Sequence, residues 1–320
     1  MLNFAGRFLV LALAACAFAG LAKAQGFPQR TVTIVVPYAP GGGTDNVART
    51  FAASLSNHWK QSVVVENHAG ADGIIGTQRA LRAPADGHTL ILQLNTMLLW
   101  KATMPQNQGT DLLSELALIS LIQTAPLGFA VNANFPGKDM KDFVAYCRTP
   151  GNSCSWGTAT KYAQLIGKYL MDTIDLPQAV NVNYKGGGPM MNDLLGGHVT
   201  MTLPSVASAQ TQRQAGKVKL LAVASRERFR LAADVPTLAE SGWQVFADSW
   251  YGFMASKQTP PEILRAIAQA VQAVSKDPAL LASIESSGGQ AVFSSAEAFN
   301  DYVKREQAYL APLLAKYPLQ

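Results

Sequence analysis

The sequence predicts an α/β protein of two lobes, each a mainly parallel sheet flanked by helices, with a ligand cleft between them. Three observations carry that expectation. Short apolar runs alternate with helical stretches along nearly the whole chain, as in sheets covered by helices on both faces. Glycine-rich turns fall at the carboxyl ends of those runs, where open α/β sheets bind ligands. Two long apolar segments, around 118–131 and 249–254, read as strands that cross from one unit to the other.

In chain order, a strand over 32–36 leads through Pro37-Tyr-Ala-Pro-Gly-Gly-Gly-Thr-Asp45 into a helix over 46–59. A strand over 62–66 leads through Asn67-His-Ala-Gly-Ala-Asp-Gly73 to a helix over 75–82, and 89–94 is a third strand. The second unit begins near Pro126 with a strand at 127–131 and a helix at 138–148. A strand at 154–157, a helix at 162–174 and a strand at 179–184 follow. Lys185-Gly-Gly-Gly-Pro189 then opens a helix over 190–195, and 199–203 and 218–224 are further strands. Apolar residues at Ile263, Leu264, Ile267, Ala270, Val271 and Val274 recur at helical spacing within 260–275, which core packing explains. The domain division expected is 25–124 with 248–320 as the first lobe and 125–247 as the second.

The first residues stand outside that core. Arg7, an apolar run from Phe8 to Leu21 and Ala22-Lys-Ala24 have the layout of a secretory signal peptide over 1–24, cleaved after Ala24. The run is shorter than the roughly 20 apolar residues of a membrane span. Leu13-Ala-Ala-Cys16 also fits a lipobox, with Cys16 acylated as the alternative maturation. Either route places the mature protein outside the cytoplasm. The formal charge of +5 falls by two once Arg7 and Lys23 leave, too small and dispersed an excess for nucleic acid. The remaining cysteines, Cys147 and Cys154, flank a Pro-Gly turn, and in an oxidising compartment such a pair forms a disulfide.

Chemistry-bearing patterns are thin. Gly41-x-Gly43 before a helix, with Glu66 about 20 residues on, invites a dinucleotide reading, but the third glycine position is Asn46. No Gly-Lys-Ser/Thr follows the glycines, so a P-loop is excluded and no cofactor is expected. His58, His68, His88 and His198 show no metal-ligand spacing, and no metal site is expected. Ser205 lacks a sequence partner that would make it a nucleophile. What remains is a set of polar strand-end loops at 40–45, 70–76, 95–96, 157–161, 185–189 and 204–208. Backbone N–H groups, hydroxyls and amides there suit a carboxylate held without chemistry. The first junction is the strongest, a helix start whose unpaired N–H groups and dipole favour an anion, beside glycines that admit close approach.

Several motifs resemble one family. Val36-Pro-Tyr-Ala-Pro-Gly-Gly-Gly-Thr-Asp45, Val64-Val-Glu-Asn67, Pro84-Ala-Asp-Gly-His-Thr-Leu90, Asn183-Tyr-Lys-Gly186 and Asp193-Leu-Leu-Gly-Gly197 look like the Bug family. So do Ala215-Gly-Lys217, Leu221-Ala-Val-Ala-Ser225, Val235-Pro-Thr-Leu-Ala-Glu-Ser-Gly242 and Trp250-Tyr-Gly252. These are the substrate-binding proteins of tripartite tricarboxylate transporters in proteobacteria. The resemblance implies a type II-like periplasmic binding protein, monomeric, that closes on a small organic acid or related solute and delivers it to membrane transporter subunits. With the strand-end loops it gives the candidate ligand residues Tyr38, Pro40, Gly41, Gly42, Gly43, Thr44, Asp45, Ala71, Asp72, Asn95, Thr96, Thr158, Thr160, Lys161 and Ser205. The family's usual Gly-Ala-Gly-Gly is here Gly70-Ala-Asp-Gly73, and its Gly-Ser-rich second-lobe loop is Gly157-Thr-Ala-Thr-Lys161. An aspartate often found at a second-lobe strand end is missing from Met201-Thr-Leu-Pro-Ser205. Asp72 would repel an anion if it faced the cleft, and Lys161 would attract one. The rival class is an extracytoplasmic enzyme on the same scaffold acting on a small carboxylate.

Overall fold

The computed structural model describes residues 26–41, 43–103, 111–286 and 288–319. The signal peptide over 1–24, Cys16 and Gly42 lie outside the described residues.

The first sheet opens with β1 (Val32–Val36), which runs through the glycine turn into α1 (Gly43–Trp59). Val47, Ala48, Phe51, Ala52 and Leu55 of α1 are buried on one face, and the Phe51 ring meets Phe253 edge-on at 4.9 Å. β2 (Val63–Asn67), α2 (Ile74–Leu81) and β3 (Thr89–Leu94) complete a parallel trio with β1 in the middle. A 3₁₀ turn (Asn95–Leu99) and α3 (Trp100–Thr103) follow β3.

β4 (Leu116–Pro126) then leaves this sheet for the other one, which contains β5 (Gly128–Asn132). There α4 (Met140–Arg148), β6 (Ser155–Thr158), α5 (Lys161–Thr173), β7 (Val180–Asn183), α6 (Gly187–Leu195), β8 (Met201–Thr202), α7 (Val206–Gln214) and β9 (Val218–Val223) follow. Cys147 and Cys154 are joined by a disulfide across the turn between α4 and β6. The chain returns through β10 (Asp248–Ser256) and finishes with α8 (Pro261–Val274), α9 (Pro278–Ser286), β11 (Gln290–Ala291) and α10 (Ala296–Lys316).

The sheet orders are β11-β4-β10-β3-β1-β2 and β7-β6-β8-β5-β9. Both are mixed rather than mainly parallel. β10 pairs antiparallel with β3 and β4, and β5 pairs antiparallel with β8 and β9. The cause is topological: a chain that leaves by β4 and returns by β10 beside it must run the two in opposite directions. The crossing segments lie side by side, with Leu127 N–H donating to Ala247 O at 2.9 Å and Ala224 N–H to Leu127 O at 2.8 Å. α10 adds a further tie, since Lys316 Nζ reaches Asp172 Oδ2 at 2.6 Å and Lys168 Nζ donates to Pro318 O, both across to α5.

α7 occupies sequence read as a polar loop at 204–208. Among its residues only Val206 and Ala209 are buried, so no apolar stripe announces it. Among the described residues no helix is long and apolar enough to cross a membrane.

Candidate functional site

A cavity of about 180 Å³ lies where the two sheets face each other. From the first lobe come Asn95 and Thr96, at the carboxyl end of β3, with Ser249 and Tyr251 of β10. From the second come residues at the starts of three helices: Thr160 before α5, Gly187 of α6, and Ser205 and Ser208 at α7. No charged side chain lines this cavity among the described residues.

The helix starts give it an electrostatic character all the same. Thr160 caps α5 by accepting from Ala163 N–H at 3.1 Å, and Ser205 caps α7 by accepting from Ser208 N–H at 3.2 Å. α6 has no side-chain cap: its N-cap is Gly186, at φ 140°. Side chains added at Gly186, Gly187 or Gly188 would meet nothing within 4 Å. Gly187 lines the cavity, so the uncapped start of α6 lies at its wall, the kind of place that suits an anion.

The first-lobe wall is fixed from below. Tyr38 Oη donates to Gln93 Oε1, so its contact with Thr96 Oγ1 at 2.8 Å takes its proton from threonine. Gln93 Nε2 donates in turn to Thr77 Oγ1 at 3.0 Å, and Asn95 Nδ2 to Asp248 O at 2.8 Å. Thr96 and Asn95 are each 3% exposed, and their partners set their orientation.

The glycine turn differs from the open cradle that its sequence predicts. Asp45 Oδ2 accepts the Gly41 N–H at 2.9 Å, and the same carboxylate takes Asn67 Nδ2 and Arg49 at 3.0 Å each. Burial opposes its ionisation, yet the hydrogen bonds from Arg49, Gly41 and Asn67 outweigh that and hold the carboxyl below its usual range. The protein's own acid thus occupies part of the anion position. A Cβ on Gly43 would come within 2.7 Å of Tyr251 Oη, so the turn buttresses the tyrosine that lines the cavity.

A second chamber of about 140 Å³ shares Ala159 and Thr160 with the first. Thr158, Lys161, Gln164, Asn183 and Tyr184 line it from the second lobe, and Asp72 from the first. Two wider grooves, of about 550 and 540 Å³, lie against α2 and β1 and behind the crossing strands. Neither gathers helix starts, so breadth alone does not make them the ligand site.

Of the sequence candidates, Asn95, Thr96, Thr160 and Ser205 line the first chamber, and Asp72, Thr158, Thr160 and Lys161 the second. Tyr38, Gly43 and Thr44 stand one layer behind, against Thr96 and Tyr251, while Pro40, Gly41, Asp45 and Ala71 line neither chamber. Ser249 lies inside the crossing strand expected over 249–254, where nothing in the sequence sets it apart. Gly187 belonged to a glycine loop already noted, and its uncapped helix start was the signal that it lines the site. Ser205 Oγ is engaged with Ser208 Oγ at 3.2 Å as well as with its N–H.

A family model described as tripartite tricarboxylate transporter family receptor matches residues 47–319. An Agrobacterium vitis protein, described as a UPF0065 protein in the TAR-I ttuE-ttuC' intergenic region, is 32% identical over 286 residues. That match covers 88% of this chain and 82% of the relative. The structure of the periplasmic binding protein BugD matches with a TM-score of 0.79 at 31% identity, covering 91% of this chain and 98% of BugD. That of R. palustris Rpa4515 with adipate matches with a TM-score of 0.82 at 27% identity, covering 90% and 97% of the two chains.

Proposed function

The chain belongs to the tripartite tricarboxylate transporter receptor family, and from that premise we propose that it is a periplasmic receptor which captures a small carboxylate. The observation that carries the reading is the meeting of three helix starts and the Asn95–Thr96 turn around one uncharged cavity. Dipoles and N–H groups there favour a negative ligand, and none of the groups needs to react. The similar structure with adipate shows that this scaffold accommodates a dicarboxylate.

The working cycle is lobe closure about the segments at 125–127 and 224–248, with lobes divided as 25–124 plus 248–320 and 125–247. A carboxylate touches both walls only when they meet, so it stabilises the closed form by its differential contacts. A micromolar solute needs about −8 kcal/mol. Several hydrogen bonds to a charged group, at roughly 1.5–3 kcal/mol each, are sufficient in scale. Export follows from the signal peptide over 1–24, and the closed form is what the membrane partner of the transporter reads.

Calorimetry of the mature protein against mono- and dicarboxylates, with small-angle scattering of the same samples, tests this. One acid should bind at one per chain with micromolar affinity, and the radius of gyration should fall on binding. Absence of heat with every acid would sink the proposal.

A further inference from the structure

The second chamber carries an acid where a receptor for plain dicarboxylates has no use for one. Asp72 sits in a short 3₁₀ turn with three successive left-handed residues, Ala71 at φ 46°, Asp72 at 50° and Gly73 at 92°. The turn is pinned: Gly73 N–H donates to Gly70 O at 3.1 Å, and Trp100 Nε1 to Asp72 O at 3.0 Å. Gly73 is pressed so closely on Gln93 and Tyr38 that an added Cβ would lie 2.9 Å from Gln93 Nε2. The backbone is therefore fixed by the same network that orients Thr96, and the exposed Asp72 side chain is held on the cavity.

Left-handed backbone explains an Asx residue at this position, since Asn and Asp tolerate it best after glycine. It does not explain the charge, because asparagine would serve the backbone equally well. Among the described residues, the hydrogen bond made at Asp72 goes to its main-chain oxygen. Its carboxylate is left to the chamber, across from Lys161 and the start of α5.

Resting on the carboxylate reading above, we propose that Asp72 makes the cleft select an acid that also carries a protonated nitrogen, an amino-carboxylate, over the plain acid of the same length. The carboxylate lies on the helix starts, and the ammonium group donates to Asp72 from the first lobe. A plain dianion gains the first contact but brings its second negative charge towards Asp72, so one residue both attracts the zwitterion and rejects its competitor. Closure brings Asp72 towards the second-lobe helix starts, which makes the charge match part of what drives it.

Matched pairs separate this from the receptor reading itself. The mature protein and Asp72→Asn are titrated calorimetrically with aspartate against succinate, glutamate against glutarate, and 2-aminoadipate against adipate. In at least one pair the native protein should prefer the amino acid by about tenfold or more, and Asp72→Asn should bring that ratio near one. Asp72→Gly, which also accepts the left-handed turn, replaces the asparagine variant if that one misfolds. Equal or tighter binding of the plain acids by the native protein overturns the inference while leaving the receptor reading intact. So does an Asp72→Asn variant that tightens both members of a pair alike, which would make Asp72 only a counter-charge to Lys161. No heat with any of the six acids overturns the carboxylate reading and this inference with it.

Discussion

The two walls of the cleft handle their glycine turns differently. In the first lobe the turn before α1 is tied back to the helix: Asp45 accepts the Gly41 N–H and is itself held by Arg49 and Asn67. In the second lobe α6 follows Gly186 with no side-chain cap, and Gly187 at its start lines the cavity. On one wall a side chain already takes a turn N–H, and on the other no side chain caps the helix start. In the proposed site, Gly43 backs the tyrosine of one wall, and the glycines at the start of α6 offer their backbone to the ligand from the other. Affinity for a carboxylate should reside mainly in the second lobe.

Filling the open start tests that division most directly. Gly187→Asp meets no neighbouring atom and places a carboxylate at the first turn of α6, reproducing there what Asp45 does for α1. The substitution should leave the fold intact or slightly more stable, since an acid at a helix N-terminus contributes about 0.3–1 kcal/mol. Carboxylate affinity should nonetheless fall by about a hundredfold or more, because a fixed charge repels the ligand's own. Calorimetry and thermal unfolding on one preparation read both effects. Unchanged affinity would move the recognition site away from α6 and end the contrast between the walls.

The converse substitution is Asp45→Ala. Asp45 is 3% exposed, and its loss leaves the Gly41 N–H and the Asn67 amide without their acceptor. A cost of about 2–3 kcal/mol in stability is expected, from two donors left unpaired. The native contribution also has a defined pH sense. A carboxyl held below its unfolded value stabilises the fold above about pH 4 and loses that effect as pH falls through the folded value. Urea unfolding at pH 7 and pH 3 should therefore show a difference between variant and native protein that shrinks at the lower pH. A variant as stable as the native chain at pH 7 would mean that the first wall is not braced by this acid.

Much of the architecture was legible because burial writes a period into the chain. The face of α1 through Phe51 and Leu55 carries one, and the apolar runs at Val32–Val36 and Leu116–Pro126 are legible as stretches buried nearly throughout. α7 escaped because its exposed, polar surface writes none. The sheets' mixed direction was illegible for another reason, since strand polarity depends on which strands become neighbours. At the cleft, the strand-end rule led to Asn95, Thr96, Thr160 and Ser205. It did not foresee that Asp45 takes the Gly41 N–H of the glycine turn. Asp45 with Arg49 four residues on was a local sign of a self-contained turn, whereas Ser249 became visible only once β10 was seen to pass the cavity.

The smallest expected effect sits beside the crossing strands, where acids behave in the opposite sense to Asp45. Burial pushes Asp248 up to about 6, against the opposing influence of Tyr302 and Arg226. Burial likewise pushes Glu306 up to about 7, with the neighbouring Asp248 adding to it and the hydrogen bond from Trp250 Nε1 opposing it. In this window the native state holds protons that the unfolded chain has released, so stability declines as pH rises from about 4 to 7. Glu306→Gln removes the charge and keeps an acceptor for Trp250. The variant should match the native protein near pH 4 and exceed it by about 1–2 kcal/mol near pH 7.5, a figure reduced for partial solvent access. Unfolding curves across that range decide the matter, and a variant less stable at pH 7.5 would mean that the Glu306 charge is used by the fold rather than tolerated there. With the slope confirmed, the molecule would hold Asp45 ready to ionise at one wall and Glu306 reluctant to ionise beside the crossing strands.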